Sequence, residues 1–405
     1  MPLSARDLVG ATRPRTGFWI VAMCFISTTA LGTVPTPLYR LYQQEGGYGD
    51  FISTIVFAVY AVGILAALIF AGHLSDLVGR RPVLMAATAM SVLSAVAFCL
   101  SDGVAGWLVA RLLTGIGTGL MTATATAYLT DLNDRARPGQ GNRVAEVTST
   151  ACNLGGLAAG GMLSGVVATH LPEPLLTPYL VALVLLITSW PLALLVPETI
   201  RRNPGTSYRI QLPSVPAERR RDFWGAALAG GLSFSITGLF ASQAPSLIVE
   251  ALGGDERQDL SGVLGTLVFG TAALAQILLA RGEPRRQVLL ALLLLVPGFV
   301  LAVGGCTVES LPLLFVGTVI SGVASGLCLT GAVSCALQAA PESQRGQTLK
   351  GTFVVTYAGL IVPVVGFGSL TQTLGLVPAL WWYAIFVVVM VAAIAVVLQP
   401  RKIWA

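Results

Sequence analysis

The sequence is poor in charge. Only 11% of its 405 residues are charged, whereas soluble domains carry about 25%, and the mean hydropathy is +0.78. Charge is missing altogether from residues 147–172, 174–197, 223–249 and 351–400. A bilayer core needs about 20 apolar residues per helix. This lack of charge argues against a water-soluble enzyme and predicts a polytopic helical membrane protein.

The chain also lacks the residues from which metal and catalytic sites are built. It has two histidines, and its six cysteines all lie in apolar stretches without a Cys-x-x-Cys pair. We therefore expect no metal site, no enzyme activity and no cofactor. No G-x-x-x-x-G-K-[ST] motif is present, which argues against ATP-driven pumping by this chain.

Hydropathy predicts twelve spans in an all-α fold. The run 351–400 must hold two of them, because a single helix of that length would far exceed the membrane. The twelve predicted spans are 17–40, 51–73, 82–101, 104–129, 146–169, 175–197, 223–247, 259–280, 286–305, 311–337, 350–371 and 377–398.

Basic residues predict the orientation. If both termini are cytoplasmic, all but three of the 24 lysines and arginines fall in cytoplasmic segments, as the positive-inside rule requires. The exceptions are Arg40 and Arg257 outside, and Arg111 within a span. The net charge of +5 therefore indicates topology rather than a nucleic-acid partner. We expect a multi-pass protein that is embedded in the lipid bilayer of the cell (inner) membrane, and we expect it to be a monomer.

A polar, Arg-rich segment divides the spans six and six. The predicted organisation is a cytoplasmic N-terminal segment (1–16), an N-terminal bundle (17–197), a linker (198–222), a C-terminal bundle (223–398) and a cytoplasmic tail (399–405). A shift of 207 residues aligns small residues of the two halves, including Gly115 with Gly322 and Gly119 with Gly326. Similar halves are typical of transporters whose site lies between them. Chance similarity of Gly-rich helices remains the alternative.

The loop between the second and third spans carries a compact charged motif. Asp76 lies near the C-terminal end of a helix, where the helix dipole disfavours an anion, so it needs a partner. Arg80 could pair with it if the helix continues, or a neighbouring helix N-terminus could hold it. The motif comprises Gly72, Leu74, Asp76, Gly79, Arg80, Arg81 and Leu84.

This stretch resembles the G-x-L-a-D-r-x-G-r-R/K-x-x-L signature of the major facilitator superfamily, although Leu77 stands where the family often has a basic residue. The resemblance extends to length, span number and linker. It implies two pseudo-symmetric six-helix bundles around a central cavity that work by alternating access, with the motif acting as a conformational switch.

The fourth span contains an intramembrane arginine followed by glycines. Arg111 costs about 2.5–3.5 kcal/mol on insertion scales, unless it snorkels to the surface. Gly115 and Gly119 lie on roughly the same face and permit close helix contact, which predicts that Arg111 points into protein. Arg111, Gly115 and Gly117 resemble the R-x-x-x-G-x-G element of the superfamily, and this resemblance implies a role in proton coupling.

The fifth span is rich in small residues. Gly156 and Gly160, and likewise Gly161 and Gly165, are spaced for close helix packing. The run resembles a degraded antiporter element, G-x-x-x-G-P-x-x-G-G, with Gly161 in place of Pro and Ser164 in place of Gly. The resemblance implies export, and generic tight packing is the alternative.

No acidic residue lies deep in a span. A lone buried cation favours an anion, so we predict a neutral or anionic small-molecule substrate rather than a lipophilic cation. Candidate cavity residues are Tyr39, Asn153, Gln243 and Tyr357.

The leading hypothesis is a secondary active transporter that resembles the twelve-helix drug:proton antiporters, exports a small amphiphile and is driven by a proton gradient. An importer or facilitator of a small metabolite is the alternative. A polytopic enzyme or receptor is the alternative from another class.

Overall fold

The computed structural model describes residues 12–101, 103–200, 214–215, 219–280 and 282–398. Most of the predicted N-terminal segment 1–16, most of the linker 198–222 and the tail 399–405 therefore lie outside the described residues. The described part consists of helices and turns, with no strand within it.

Twelve stretches of the described chain are long and apolar enough to cross a membrane, as the hydropathy predicts. Helices α1 and α2, with the turn between them, form the first span, and α4 is a short connecting helix. The helices are α1 (Pro14–Leu31), α2 (Tyr39–Gly46), α3 (Asp50–Ala71), α4 (Leu74–Val78), α5 (Arg80–Leu100), α6 (Val104–Ala136), α7 (Arg143–His170), α8 (Thr177–Leu192), α9 (Arg220–Ala251), α10 (Gln258–Leu278), α11 (Pro284–Thr307), α12 (Leu311–Ala339), α13 (Arg345–Leu374) and α14 (Leu376–Leu398).

The first span is not the continuous helix that the sequence predicts over 17–40. Helix α1 ends at Leu31, and a turn with a 3₁₀ segment leads to α2. Pro35 has no N–H to continue the helix and disfavours helical backbone before it. The Thr36 N–H bonds to the Thr33 carbonyl at 3.0 Å, so the Gly32 carbonyl has no helical donor.

We call the two ends of the helix bundle the linker end and the far end. The linker end is the end at which α5 begins, α6 finishes and residues 198–200 follow α8. The far end is the opposite one, where α2 lies and α3 begins.

Glycines repeat the same helix contact in both halves. A Cβ on Gly115 of α6 would lie 2.2 Å from the Tyr60 carbonyl oxygen of α3, and one on Gly322 of α12 would lie 2.7 Å from the Val268 carbonyl oxygen of α10. One turn later, Gly326 of α12 packs in the same way on α10. Small residues let helix backbones meet in the membrane. Residues that the 207-residue shift aligns in the sequence therefore make the same helix contact in each half.

The two halves meet where α7 packs on α10 and α3 packs on α13. The Thr266 hydroxyl of α10 donates to the Ala158 carbonyl of α7 at 2.9 Å. Near the far end, a Cβ on Gly165 would lie 2.5 Å from the Gln258 carbonyl oxygen. The halves are thus in close contact at the far end.

We expect Gly115→Ala to lower the melting temperature, because its methyl group would collide with backbone rather than with a flexible side chain. Overpacking of this kind costs about 1–3 kcal/mol. The measurement is thermal unfolding of the purified protein, followed with a thiol-reactive dye that detects the buried cysteines. Gly155→Ala is the matched control, because no described atom lies within 4 Å of a Cβ there. Equal melting temperatures for the two variants would contradict this packing.

Candidate functional site

Arg111 is a fully buried cation inside the first half. Its side chain is 0% exposed. The guanidinium donates through Nη1 to the Gly32 carbonyl at 2.7 Å and through Nη2 to the Tyr39 hydroxyl. The rings of Tyr39, Phe57 and Tyr60 lie 5.5–5.9 Å from its central carbon. No carboxylate of the described residues lies within 4 Å, so a carbonyl, a phenol and aromatic rings stabilise this charge.

Helix packing explains why Arg111 points inward. Gly115, one turn further along α6, lies against α3, which also supplies Phe57 and Tyr60. Arg111 therefore shares the face of α6 that meets α3, and it is excluded from lipid. Gly117 lies on another side of α6, where a Cβ would be 2.7 Å from the Ser91 hydroxyl of α5. Gly115 and Gly117 thus serve two different helix contacts.

The chemistry of Arg111 is limited by its constant charge. A guanidinium offers five donors, has no acceptor and keeps its proton in proteins. It can hold an anion or a carbonyl, but it cannot carry a proton back and forth. Its Nε has no hydrogen-bond partner among the described residues. Arg111 is therefore suited to hold an anion or a carbonyl rather than to carry a proton.

The short helix α2 joins Arg111 to the far end. Tyr39, its first residue, binds Arg111, and the Tyr42 hydroxyl donates to the Tyr179 hydroxyl of α8 at 2.8 Å. One turn after Tyr39, the Gln43 side-chain amide donates to Asp50 Oδ1 at 2.9 Å. Helix α2 is therefore fixed at both of its ends by polar bonds.

Two carboxylates bond the halves together at the far end. The Ser246 hydroxyl of α9 donates to Asp50 Oδ1 of α3 at 3.0 Å. Glu256, before α10, accepts from Arg40 Nε at 3.0 Å and from the Gln44 amide at 2.7 Å. We call this group the far-end network. The sequence analysis did not identify it, because residues about 200 positions apart carry no shared pattern.

A nearby tyrosine outside the spans stays neutral. Burial raises the pKa of Tyr48, and Glu45 raises it further. Its ring lies 5.6 Å from that of Trp107 at the end of the bundle where α6 begins.

The charged motif at the linker end forms its ion pairs within the first half. Arg80 Nη1 lies 2.6 Å from Asp76 Oδ1, although the helix breaks at Gly79 between them. Arg80 Nε lies 3.3 Å from Asp131 Oδ2 of α6. Arg81 donates instead to the Leu194 carbonyl at 3.3 Å. Gly72 follows the end of α3. The motif thus connects α4, α5 and α6, and a bond to the second half at this end runs between His73 Nδ1 and Lys350 Nζ, at 3.5 Å.

Glu198 completes this motif and was missed by the sequence analysis, which placed it at the start of the linker. Its carboxylate accepts from the backbone N–H groups of Arg80 at 2.9 Å and Arg81 at 3.0 Å, at the N-terminus of α5. A helix N-terminus favours an anion. A Cβ on Gly79, where φ is 115°, would lie 2.6 Å from Glu198 Oε2. Gly79 is therefore needed both for its conformation and for the space that Glu198 occupies.

The glycines of α7 form two contact faces. Gly156 and Gly160 lie against α1, where a Cβ on Gly160 would be 1.9 Å from the Ala30 carbonyl oxygen. Gly161 and Gly165 lie against α10 of the other half. One face thus holds α7 within its own bundle, and the other lies at the boundary that must slide if the halves move.

The four candidate cavity residues differ in their surroundings. Tyr39 is buried and bonded to Arg111, so it is not free to bind a substrate in this conformation. Gln243 is also buried, but both polar atoms of its amide lack a partner among the described residues. Asn153 and Tyr357 are partly exposed. The Tyr357 ring lies 5.1 Å from that of Phe234.

Comparisons with known proteins give a consistent family and fold. A family model described as Major Facilitator Superfamily matches residues 16–362. The multidrug resistance protein MdtL of Escherichia coli O45:K1 is 39% identical over 84 residues, which are 20% of this chain and 22% of that protein. The chain therefore spans about a fifth of the length of the curated relatives it matches.

Two solved structures share the fold over nearly the whole chain. The human organic anion transporter MFSD10 (TETRAN) aligns with a TM-score of 0.68 at 18% identity and covers 96% of this chain and 100% of its own. A bacterial homologue of the human lysosomal transporter Spinster, in an inward-facing and unoccupied conformation, aligns with a TM-score of 0.69 at 14% identity and covers 95% and 97%. The predicted all-α fold is confirmed.

We expect Tyr39→Phe to destabilise the protein more than Tyr42→Phe. Both tyrosines are buried on α2 and each loses one hydroxyl bond, but the partner of Tyr39 is charged and that of Tyr42 is neutral. Bonds to charged groups contribute about 1.5–3 kcal/mol and neutral ones about 0.5–1.5 kcal/mol. Chemical or thermal unfolding of the two variants measures the difference. Equal losses of stability in the two variants would show that the bond from Arg111 to the Tyr39 hydroxyl stabilises the protein no more than a neutral hydrogen bond does.

We expect Glu198→Gln to loosen the first turn of α5, because a neutral amide is a weaker acceptor at a helix N-terminus than a carboxylate. The loss is about 1 kcal/mol. Hydrogen exchange of the backbone amides of residues 79–85 should speed up about fivefold, while that of α12 should stay unchanged. Glu342→Gln is the control, because Glu342 is exposed and lies 3.6 Å from Arg345. An α5 that exchanges at the wild-type rate would contradict the capping role.

Proposed function

This chain belongs to the major facilitator superfamily and is a membrane transporter, and on that premise we propose that it exports a small neutral or anionic amphiphile in exchange for protons. The observation that carries the substrate class is the charge inside the bundle. Among the described residues, Arg111 is the charged side chain that is fully buried. The described acidic residues of the spans lie near helix ends. A cationic substrate would find no buried carboxylate among the described residues to compensate its charge.

The candidate cavity residues support the same substrate class. Asn153 and Gln243 offer neutral donors and acceptors, and Tyr357 with Phe234 offers an aromatic surface. A buried amide without a partner is costly, so a substrate group that bonds to Gln243 would be favoured. Such a surface suits an amphiphile that combines an apolar body with a few polar groups.

Export is supported by two features. The short match to MdtL, a multidrug resistance protein, is one of them. The other is the glycine-rich face of α7 that meets α10, which resembles the antiporter element. We further propose that the linker end is cytoplasmic, as the basic loops indicate. With the far end joined by the far-end network, the conformation then faces inward.

Protons are proposed to act through the carboxylates of the far-end network. Arg111 keeps its proton, so it would serve as a fixed charge rather than a carrier. A protonated Asp50 would make only neutral hydrogen bonds, which are about half as strong as charge-assisted ones. Proton binding at Asp50 from outside would therefore weaken the contact with Ser246 and favour opening of the far end.

Transport into everted membrane vesicles tests the substrate class and the coupling. With an imposed pH gradient, we expect accumulation of an organic anion such as carboxyfluorescein, or of a neutral drug such as chloramphenicol, and its abolition by a protonophore. Ethidium, a cation, should not accumulate. Accumulation of ethidium alone would overturn the substrate class, and transport that ignores the protonophore would overturn proton coupling. Uptake into right-side-out vesicles would favour the importer.

We expect Asp50→Asn to favour an open far end. The variant replaces a charge-assisted bond by a neutral one, which corresponds to a shift of about fivefold in the opening equilibrium. Gln243 is buried while the far end is closed, so the thiol of a Gln243→Cys substitution should then react about fivefold faster with an impermeant thiol reagent added outside. Asp134→Asn, an exposed change at the linker end, is the control. An unchanged rate in Asp50→Asn would contradict the role of Asp50.

A further inference from the structure

A small groove lies at the linker end, between the first turns of α1 and the last turn of α6. Its volume is about 50 Å³, so only a small chemical group can enter it. It is distinct from the surroundings of Arg111, which lie toward the far end. The groove is lined by Arg15, Phe18, Trp19, Asn133, Ala136 and Arg137.

The two arginines of this groove have no acidic partner among the described residues. No described carboxylate lies within 4 Å of Arg15 or Arg137, whereas Arg80, Arg286 and Arg345 all form ion pairs. Their charges are therefore available to a ligand. Two guanidinium groups beside one small space are suited to an anionic group, which they can bind through charge-assisted hydrogen bonds.

Other wall residues make the groove amphipathic and hold it in shape. Asn133 is 3% exposed, and its amide donates to the Gly141 carbonyl at 3.0 Å, which fixes the end of α6. Phe18 is buried, and its ring lies 5.3 Å from that of Trp19 in an edge-on arrangement. Trp19 itself is 61% exposed. Exposed indole rings at the ends of membrane helices belong to the interface between headgroups and acyl chains.

From this juxtaposition we propose that the groove binds the acid group of an anionic amphiphile, with Arg15 and Arg137 on the acid and Trp19 against the start of the apolar chain. The ligand is either a membrane lipid with a phosphodiester or a free amphiphilic carboxylate, since both present the same chemistry. Its chain remains outside, because the groove admits only the acid group. Zwitterionic and neutral amphiphiles gain less from the two charges.

Quenching of Trp19 by brominated chains tests this site without any transport assay, so its outcome is independent of the proposed export. The full-length protein in zwitterionic nanodiscs is titrated with dibromostearate, and the quenching specific to Trp19 is the difference between wild type and Trp19→Phe. We expect saturable quenching at about tenfold lower concentration than with dibromostearyl alcohol, which is what two exposed charge contacts provide.

Charge-neutral variants connect the quenching to the two arginines. In Arg15→Gln/Arg137→Gln, dibromostearate and the alcohol should quench at the same concentration. Arg286→Gln, which removes an arginine paired with Glu283 at the same end of the other half, should keep the tenfold preference. Unchanged melting temperatures ensure that both variants are folded. A preference that survives in the double variant, or equal quenching by acid and alcohol in wild type, would overturn the proposal.

A second titration identifies the source of the ligand. Brominated phosphatidylglycerol and brominated phosphatidylcholine are each incorporated into the nanodiscs at the same fraction. Stronger Trp19 quenching by phosphatidylglycerol, lost in the double variant, assigns the groove to lipid headgroups. Equal quenching by the two lipids, together with the tenfold preference for dibromostearate, assigns it to free amphiphilic acids.

Discussion

The bond between Arg111 and the backbone of the first span is the constraint on which the first half depends. A guanidinium inside a membrane protein needs hydrogen-bond acceptors. Arg111 donates to the Gly32 carbonyl, which has no donor within the helix because α1 ends at Leu31. The helix break and the buried charge therefore stabilise each other. The Gly32 carbonyl can accept from Arg111 because the Thr36 N–H bonds to the Thr33 carbonyl instead, and without Arg111 it would be left unpaired in an apolar interior.

The same break creates α2, and α2 transmits the position of Arg111 to the boundary between the halves. Its first residue binds the arginine, while Arg40, Gln43 and Gln44 reach the far-end network. A change in the position of Arg111 would therefore be transmitted to the far end through this short helix. The linker end is built differently, because the ion pairs of Arg80 join helices of the first half only.

Much of this architecture could be predicted from the sequence. The twelve spans follow from hydropathy, and the inward direction of Arg111 follows from Gly115 and Gly119 on its face. The continuous helix over 17–40 was the wrong prediction, because hydropathy does not register the loss of donors at Pro35. The long-range bonds of Glu198, Asp50 and Glu256 were not predicted for a different reason. Their partners are 118, 196 and 216 residues away, and such pairings leave no local periodicity.

The two halves share their packing but not their charges. Gly115 and Gly322 make the same contact, yet the 207-residue shift places Thr318 opposite Arg111 and Gln287 opposite Arg80. Thr318 is buried and donates to the Leu314 carbonyl of its own helix at 2.8 Å, so it can neither replace the cation nor connect helices as Arg111 does. Close helix contacts demand small residues wherever they recur, and the repeat preserves them in both bundles. A buried charge is costly and needs its own acceptors, so it stands in the half whose first span is broken to supply them. The first half therefore holds the fully buried cation of the described residues, and the second half has the neutral Thr318 at the matching position.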